Sequence, residues 1–230
     1  MKILIACEES QTVCKAFRAK GHEAYSCDIL PPSGGYPEWH IQGDVLRVIE
    51  NTNWGYGEKK GINFETQDGT FHIIGEKWDM IIAFPPCTYL SNAGACWLFR
   101  GKKLNQERFE KGLQGREFFM KFYDANCDKI CVENPVPSSI YKLPKYTQII
   151  QPYEFGEPYS KRTCLWLKGL SNLTPTKLIT ENITQWVNGG SKKADGTHRS
   201  LAARAATFRD SLTKSKTFQG VADAMAEQWG

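Results

Sequence analysis

The stretch Asp79-Met80-Ile81-Ile82-Ala83-Phe84-Pro85-Pro86-Cys87-Thr88 contains an apolar run that stops at two prolines. A short apolar run bounded in this way is typical of a buried strand. Proline fixes φ and has no N–H, so the pair ends the strand and stiffens its exit. We therefore expect Cys87 at the carboxyl edge of an α/β sheet, where open folds of this kind bind ligands. A plain turn with a buried thiol is the alternative.

A second apolar run, Cys131-Val132-Glu133-Asn134-Pro135, ends similarly, with an acidic residue before a turn fixed by proline. If the two strands are neighbours, their ends bring the Cys87 thiol and the Glu133 carboxyl to one rim of the sheet. A thiol and a carboxyl held together on a rim are candidate catalytic groups.

Further apolar runs alternate with helical segments, which is the pattern of parallel βαβ units. The predicted strands are residues 2–6, 23–28, 79–84, 129–133, 147–153 and 163–168. A helix is predicted from Gln11 to Lys20, with Ser10 as its N-cap and Gly21 at its end.

A longer amphipathic helix is predicted from Asn105 to Ala125. Its large apolar residues recur on or near one face, and they are expected to pack in the core: Phe109, Leu113, Phe118 and Phe122.

The chain has 230 residues, of which 41% are hydrophobic and 23% are charged, and we expect one domain spanning 1–230. Residues 51–76 interrupt the strand–helix rhythm, and alternation around Asp68-Gly69 predicts a hairpin insertion there. Residues 170–217 carry eight basic and three acidic side chains, including an irregular loop at 188–196. This basic segment is expected either to face a polyanion such as DNA or to be an ordinary solvated surface.

No apolar run reaches the roughly 18 residues needed to span a bilayer. The start of the chain enters a strand-like segment, 2–6, without the flanks of a signal peptide, so we expect a cytoplasmic protein with no membrane partner. The eight cysteines form no CxxC pair, so no metal site is predicted and most are expected to be reduced and buried.

Two acidic residues are candidates for binding a nucleoside. Asp28 follows Cys7 at the spacing at which a doubly wound sheet places its ribose-binding carboxylate, and Asp44 lies where a third strand would end, within reach of an adenine amino group. Acidic residues at strand ends also cap helices and turns, and both interpretations stand. The first turn contains Glu8 and Glu9, which would repel a pyrophosphate but tolerate the cationic groups of S-adenosylmethionine.

Together these motifs resemble the cytosine-5 DNA methyltransferase family. Pro86-Cys87 resembles the nucleophile turn of that family, Glu133-Asn134 resembles its Glu-Asn dipeptide, and Arg162 in Ser160-Lys161-Arg162-Thr163 resembles its arginine-bearing strand. The segment 218–226 is similar in character to its closing helix, and Thr88 to Gly101 resembles its mobile loop.

The resemblance implies a Rossmann-like class I S-adenosylmethionine-dependent methyltransferase fold, mostly parallel and doubly wound, with 170–217 in place of a full target-recognition domain. It implies methyl transfer to carbon 5 of cytosine in DNA through a cysteine–base adduct. The catalytic residues would be Cys87, Glu133 and Arg162. S-adenosylmethionine would be bound by Cys7, Glu8, Ser10, Asp28, Ile29, Asp44 and Pro85.

The chemistry requires these residue types together. Carbon 5 of a pyrimidine is a poor nucleophile, so the Cys87 thiolate would first add to carbon 6. Glu133 would contact ring nitrogen 3 and the neighbouring amino group, which requires a carboxyl with a raised pKa. Arg162 would hold the base or Glu133 in register.

Three other functions stay open at the level of sequence. The first is methylation of a free pyrimidine nucleotide. The second is a non-catalytic protein of the same fold that binds nucleic acid or a protein partner. The third is an amino-methyltransferase, which also has a proline pair after this strand but needs no thiol.

Overall fold

The structure is a computed structural model that describes residues 1–49, 61–75, 77–95, 97–101, 103–186 and 216–230. The strands in these ranges are β1 (Lys2–Ala6), β2 (Glu23–Asp28), β3 (His40–Gln42), β4 (Asn63–Glu65), β5 (Phe71–Ile73), β6 (Met80–Ala83), β7 (Phe99–Arg100), β8 (Lys103–Leu104), β9 (Ile130–Pro135), β10 (Gln148–Ile150), β11 (Tyr159–Ser160), β12 (Thr163–Lys168) and β13 (Thr184–Gln185). The α-helices described there are α1 (Thr12–Ala19), α2 (Val45–Ile49), α3 (Asn92–Ala95), α4 (Gln106–Tyr123) and α5 (Gln219–Trp229).

The central sheet has seven strands in the order β10-β12-β9-β6-β1-β2-β3. The five strands from β9 to β3 are mutually parallel, and β12 runs antiparallel to both of its neighbours. The chain is therefore a mixed α/β protein with a mostly parallel central sheet, as predicted. Each predicted strand is present, but β10 ends at Ile150 because Pro152 begins a 3₁₀ turn.

Both faces of the sheet are buried, which explains why its strands are nearly continuous apolar runs. In β1, Ile3 and Ile5 belong to the core cluster that includes α1 and α5, whereas Leu4 and Ala6 belong to the cluster on the α4 side. Because β1 has β2 on one side and β6 on the other, the strand order reverses at β1. In open α/β sheets such a reversal opens a ligand crevice at the carboxyl ends of the strands.

Helix α1 is capped differently from the sequence prediction. Its N-terminal N–H groups, those of Val13 and Cys14, donate to the carboxylate of Glu8 at 2.7 and 3.2 Å. Ser10 Oγ interacts instead with Thr12, whose hydroxyl lies 3.1 Å away and whose N–H lies 3.5 Å away, and Gln11 is the N-cap, so Ser10 as the cap is wrong. The reason is the left-handed conformation of Gln11, with φ of 57°, which turns the chain so that Glu8 faces the helix end.

Helix α4 matches its prediction closely, because the side chain of Asn105 accepts a hydrogen bond from the N–H of Arg108 and fixes the start of the helix. Phe122 is fully buried, and Phe109 and Phe118 pack against the same core. Leu113 is 38% exposed, so its prediction as a core residue is wrong. Its position lies beyond the edge of the buried stripe of the helix.

The predicted hairpin is formed by β4 and β5, which pair antiparallel across the turn containing Asp68 and Gly69. Phe64 of β4 stacks on Trp78 and meets Tyr25 edge-on, so this hairpin packs against the end of the core. The rest of the predicted insertion, 51–60 and 76, lies outside the described residues. The predicted loop at 188–196 and most of the basic segment also lie outside them.

In the described ranges, no helix combines the length and apolarity that a bilayer span requires. The seven cysteines described there are free thiols.

Gly220 allows helix α5 to pack closely against Phe155, in the chain that follows β10. A Cβ built on Gly220 would lie 1.8 Å from the carbonyl oxygen of Phe155, so only glycine allows this approach. The next residues of the helix, Val221 and Ala222, are buried against the core.

We predict that Gly220→Ala lowers the free energy of unfolding by at least ~2 kcal/mol, because overpacking against backbone cannot be relieved by a side-chain rotation. Urea unfolding measures the change. Gly115→Ala in α4 is the matched control: its Cβ would meet nothing closer than Leu90 Cγ at 3.5 Å. There the better helix propensity of alanine should leave stability unchanged or raise it by up to about 1 kcal/mol. Equal effects at the two sites would contradict the close docking of α5.

Candidate active site at the carboxyl ends of the strands

Cys87 lies on a tight turn that follows β6. Pro85 is buried, and the carbonyl oxygen of Cys87 accepts hydrogen bonds from the N–H groups of Leu90 and Ser91 at 3.1 and 3.0 Å. The thiol itself is partly buried. The proline pair therefore delivers Cys87 to the carboxyl edge of the sheet on an ordered turn.

The turn is joined to the end of β9 by a buried hydrogen bond. Nδ2 of Asn134 donates to the carbonyl oxygen of Pro85 at 3.0 Å, and Asn134 is 0% exposed. Its Oδ1 is buried and has no hydrogen-bond partner among the described residues. Because a buried amide oxygen normally accepts a hydrogen bond, Asn134 leaves one acceptor available for a donor at this edge.

Glu133 and Lys161 line the same small cavity, of about 20 Å³. Phe84 forms another part of the wall, and residues of α5, including Val221 and Met225, close it. Glu133 lies opposite Leu165 in the β9–β12 register. The chain leading into β12 therefore brings a lysine to the carboxyl that the sequence predicts to be catalytic.

Burial dominates the electrostatics of this cluster. It raises the pKa of Cys87, which the Glu133 carboxylate raises further and the Lys161 ammonium opposes. Burial also raises the pKa of Glu133, again opposed by Lys161. Both pKa values are thus raised by burial, and the Lys161 ammonium opposes both shifts.

Arg162 and Lys161 lie on opposite sides of the strand. Arg162 is exposed, and its charge acts on Cys164, which belongs to the core on the α4 side. Thr163 lines the cavity with Lys161, as the two-residue alternation of an extended chain requires. Sequence reasoning missed Lys161, although counting back in steps of two from buried Leu165 finds it. The catalytic role of Arg162 is a prediction that this geometry leaves untested.

The predicted mobile loop begins as an anchored segment. Ser91 forms a bridge with Pro137, and the N–H of Asn92 donates to the carbonyl oxygen of Val136 at 2.9 Å. Leu90 is fully buried. The part of this loop nearest Cys87 is therefore packed onto the chain that follows β9.

The residues predicted to bind a cofactor follow the ends of β1, β2 and β3, except Pro85, which follows β6. Burial raises the pKa of the Cys7 thiol, and the carboxylates of Asp28 and Asp44 raise it further, so the three side chains share one electrostatic environment. Ile29, next to Asp28, is 75% exposed. An exposed apolar side chain beside carboxylates suits a ligand with one flat apolar face and polar edges.

Both aspartates also stabilise the local backbone. Oδ1 of Asp28 accepts from the N–H of Leu30 at 2.9 Å, and Oδ1 of Asp44 accepts from the N–H of Leu46 at 3.0 Å. Each carboxylate retains a second oxygen. Burial raises the pKa of Asp28, and the Leu30 N–H opposes that shift.

The side chain of Glu8 is buried in the protein interior. Only 5% of it is exposed, and burial raises its pKa to about 7 against the lowering effect of the Val13 and Cys14 N–H groups. Ser10 is buried nearby. A carboxylate therefore occupies the end of α1 where a doubly wound nucleotide-binding protein would bind phosphate.

A loop that the sequence did not reveal covers the first turn. The side chain of Gln11 donates to the carbonyl oxygen of Tyr36 at 2.8 Å and accepts from its N–H at 3.1 Å. The N–H of Ser33 donates to the carbonyl oxygen of Glu9 at 2.8 Å. A Cβ on Gly34 would lie 2.6 Å from the carbonyl oxygen of Ser10, so glycine is required for this contact.

A larger cavity lies elsewhere. It measures about 690 Å³ and is lined by Trp78, Met120 and Arg116 on the α4 side, without any predicted site residue. The convergence of Cys87, Glu133 and Lys161 is a stronger functional indication than volume, because it combines reactive groups with perturbed pKa values.

No protein-family model matches the chain, and no curated protein does. Among solved structures, the chain is similar to a candidate DNA modification methyltransferase encoded within a prophage of E. coli, with 14% identity and a TM-score of 0.43. The match covers 84% of this chain and 58% of that chain, so this protein spans a little over half of that length.

We predict opposite effects of the two charged neighbours on the reactivity of Cys87. Lys161→Met should slow alkylation of Cys87 by iodoacetamide at pH 8 about threefold or more, because the thiolate loses its cation. Glu133→Gln should accelerate it, because a negative charge is removed. Mass spectrometry of the Cys87 peptide measures both rates. Changes of the same sign would contradict the proposed electrostatic arrangement.

A second prediction concerns Glu8. Its pKa rises from 4.5 to about 7 on folding, so the folded chain binds more protons between these values and its stability falls as pH rises through this window. Relative to Glu8→Gln, the wild type should lose about 3 kcal/mol of unfolding free energy between pH 5 and pH 8.

Urea unfolding of both proteins at several pH values measures this difference. Glu107→Gln is the control, because its exposed carboxylate pairs with Lys111, which lowers its pKa and removes it from the window. A pH-independent difference between wild type and Glu8→Gln would contradict the prediction.

Proposed function

We propose that this protein is an S-adenosylmethionine-dependent methyltransferase that methylates carbon 5 of cytosine in DNA. The observation that carries the proposal is the Cys87 turn, hydrogen-bonded through Pro85 to Asn134, which is adjacent to Glu133. A thiol, a carboxyl with a raised pKa and a lysine near neighbouring strand ends are the groups that this reaction requires.

Cys87 is the nucleophile. Its sulfur adds to carbon 6 of the base, and the electron pair of the 5,6 double bond becomes available at carbon 5 for methylation. Loss of the carbon 5 proton to solvent and of the sulfur from carbon 6 then restores the aromatic ring and the free thiolate. Because burial raises the thiol pKa, the thiolate depends on Lys161 and on the environment that the bound base creates.

Glu133 acts on the other edge of the ring. Its raised pKa keeps a proton available for ring nitrogen 3, where negative charge builds when sulfur adds at carbon 6. Asn134, whose Oδ1 still lacks a donor, supports the turn that presents the nucleophile. Arg162 is proposed to contact the base or the nucleic acid from the exposed side of the strand.

The fit of S-adenosylmethionine is supported by the ends of β1 to β3. This cofactor would supply an electrophilic methyl group on a sulfonium. Asp28 and Asp44 would accept hydrogen bonds from its ribose and adenine, with Ile29 against the adenine ring. Cys7, Glu8, Ser10 and Pro85 would shape the walls. The Glu8 carboxylate at the end of α1 excludes phosphate, which favours a cofactor without one.

The sheet also supports the proposal. A reversed strand, β12, is inserted next to the edge of an otherwise parallel sheet, and α1 and α4 cover opposite faces. This arrangement agrees with the Rossmann-like class I methyltransferase fold that the sequence predicts. An amino-methyltransferase would need neither Cys87 nor Glu133, so their convergence favours carbon methylation.

A covalent trap tests the proposal. With S-adenosylmethionine and an oligonucleotide containing 5-fluoro-2′-deoxycytidine, the wild type should form a crosslinked complex, because fluorine at carbon 5 cannot leave as a proton does. Cys87→Ser should form none, and Glu133→Gln should form it at least about 100-fold more slowly. Denaturing gel electrophoresis measures the complex.

Cys127→Ser is the matched control, since this partly buried thiol lies away from the site and should leave trapping unchanged. A wild type that binds the cofactor but forms no adduct would refute the proposal. Turnover of free cytidine nucleotides that is insensitive to added DNA would assign the nucleotide as substrate. Inert protein with intact nucleic-acid binding would indicate a non-catalytic role.

A further inference from the structure

A group of aromatic and basic side chains lies beside the Cys87 turn. They line a cavity of about 290 Å³ between the loop after Cys87 and the start of α4: Tyr89, Trp97, Phe99, Asn105, Arg108 and Lys111, together with Glu107. Trp97 is 70% exposed and Phe99 is 48% exposed. Burying such large aromatic faces in a complex releases substantial hydrophobic free energy, so their exposure indicates a binding surface.

Arg108 and Tyr89 give this surface a fixed floor. The guanidinium of Arg108 lies 4.9 Å from the centre of the Tyr89 ring and donates to the carbonyl oxygens of Thr88 and Gly94 at 3.1 and 3.2 Å. A Cβ on Gly94 would lie 2.5 Å from the Thr88 oxygen, so this glycine allows the loop to close on Arg108. The aromatic surface is therefore held in position two residues from the candidate nucleophile.

A basic hairpin forms one side of the cavity. Strands β7 and β8 pair Phe99 with Leu104 and Arg100 with Lys103. Their sequence, Phe99-Arg100-Gly101-Lys102-Lys103-Leu104, has three cationic residues in four positions.

Aromatic rings combined with cations are the chemistry with which proteins bind single-stranded nucleic acid. Each unpaired base offers a flat face for stacking, and each phosphate offers a charge to lysine and arginine. A paired base is already stacked and offers no free face to Trp97. The basic sequence of residues 99–104, together with the described Lys103 and Arg108, favours this polyanion over a protein partner, because it complements its charge.

We propose that this surface binds unpaired nucleotides of single-stranded DNA, with bases stacked on Trp97 and Phe99 and phosphates near the β7–β8 hairpin. The inference rests on the proposed function, because it names the form of its substrate. The strand would run from this surface to the Cys87 turn, where the target base is already free of a partner and does not have to be flipped from a duplex.

Fluorescence anisotropy with labelled oligo-dT of 12 nucleotides, and with its oligo-dA duplex, tests the proposal on the full chain without cofactor. The single strand should bind more tightly than the duplex. Trp97→Ala should weaken its binding about tenfold or more, and Trp97→Phe should retain most of the affinity, because it keeps an aromatic face. Lys103→Glu should weaken binding and reduce its dependence on salt.

Two controls match these variants. Leu178→Ala removes a side chain that is 61% exposed, and Lys20→Glu reverses a charge that pairs with Glu227 at the end of α1. Both should leave affinity unchanged. Equal effects of Trp97→Ala and Leu178→Ala, or a duplex that binds as tightly as the single strand, would overturn the inference.

Nucleic-acid binding and adduct formation are measured in separate experiments, so the failure of one proposal can be distinguished from the failure of the other. Binding that depends on Trp97 in a protein that gives no fluorocytosine adduct would keep the surface and refute the methyltransferase. Adduct formation on duplex DNA that is unaffected by Trp97→Ala would keep the methyltransferase and refute single-stranded binding.

Discussion

The candidate site depends on the hydrogen bond from Asn134 to the carbonyl oxygen of Pro85. The Pro85–Pro86 pair has no N–H to donate, so the chain leaving β6 cannot continue pairing with β9 through its backbone. A buried side-chain amide makes the connection instead, and burial strengthens it because water does not compete. This bond positions both candidate groups. Glu133 is adjacent to Asn134, and Cys87 lies two residues after Pro85.

Burial has a second effect on the same groups. It raises the pKa values of Cys87 and Glu133, and it leaves Lys161 as the positive charge that acts on both. A protonated carboxyl is useful for donating to a base, whereas a protonated thiol is a poor nucleophile. The same burial thus favours proton donation by Glu133 and opposes thiolate formation at Cys87, so in the proposed reaction substrate binding would have to change the balance at sulfur.

Much of the fold was predictable because its strands are apolar runs that end at proline or acidic residues, as at Pro85 and Glu133. The side chains on each strand were harder to assign. The sequence motif indicates Arg162, whereas Lys161 lines the cavity because of the alternation of an extended chain. The capping of α1 by Glu8 and the contact between Gln11 and Tyr36 depend on one left-handed residue, which sequence patterns do not reveal.

The position of helix α5 late in the sequence determines when the cavity beside Glu133 can be completed during folding. It packs on α1, from which it is separated by almost the whole chain, and its residues Val221 and Met225 complete the cavity beside Glu133. During synthesis, the five parallel strands of the central sheet leave the ribosome before this wall exists. The nascent sheet can therefore form while the cavity is still open on the α5 side, and the cavity is complete only when α5 has emerged.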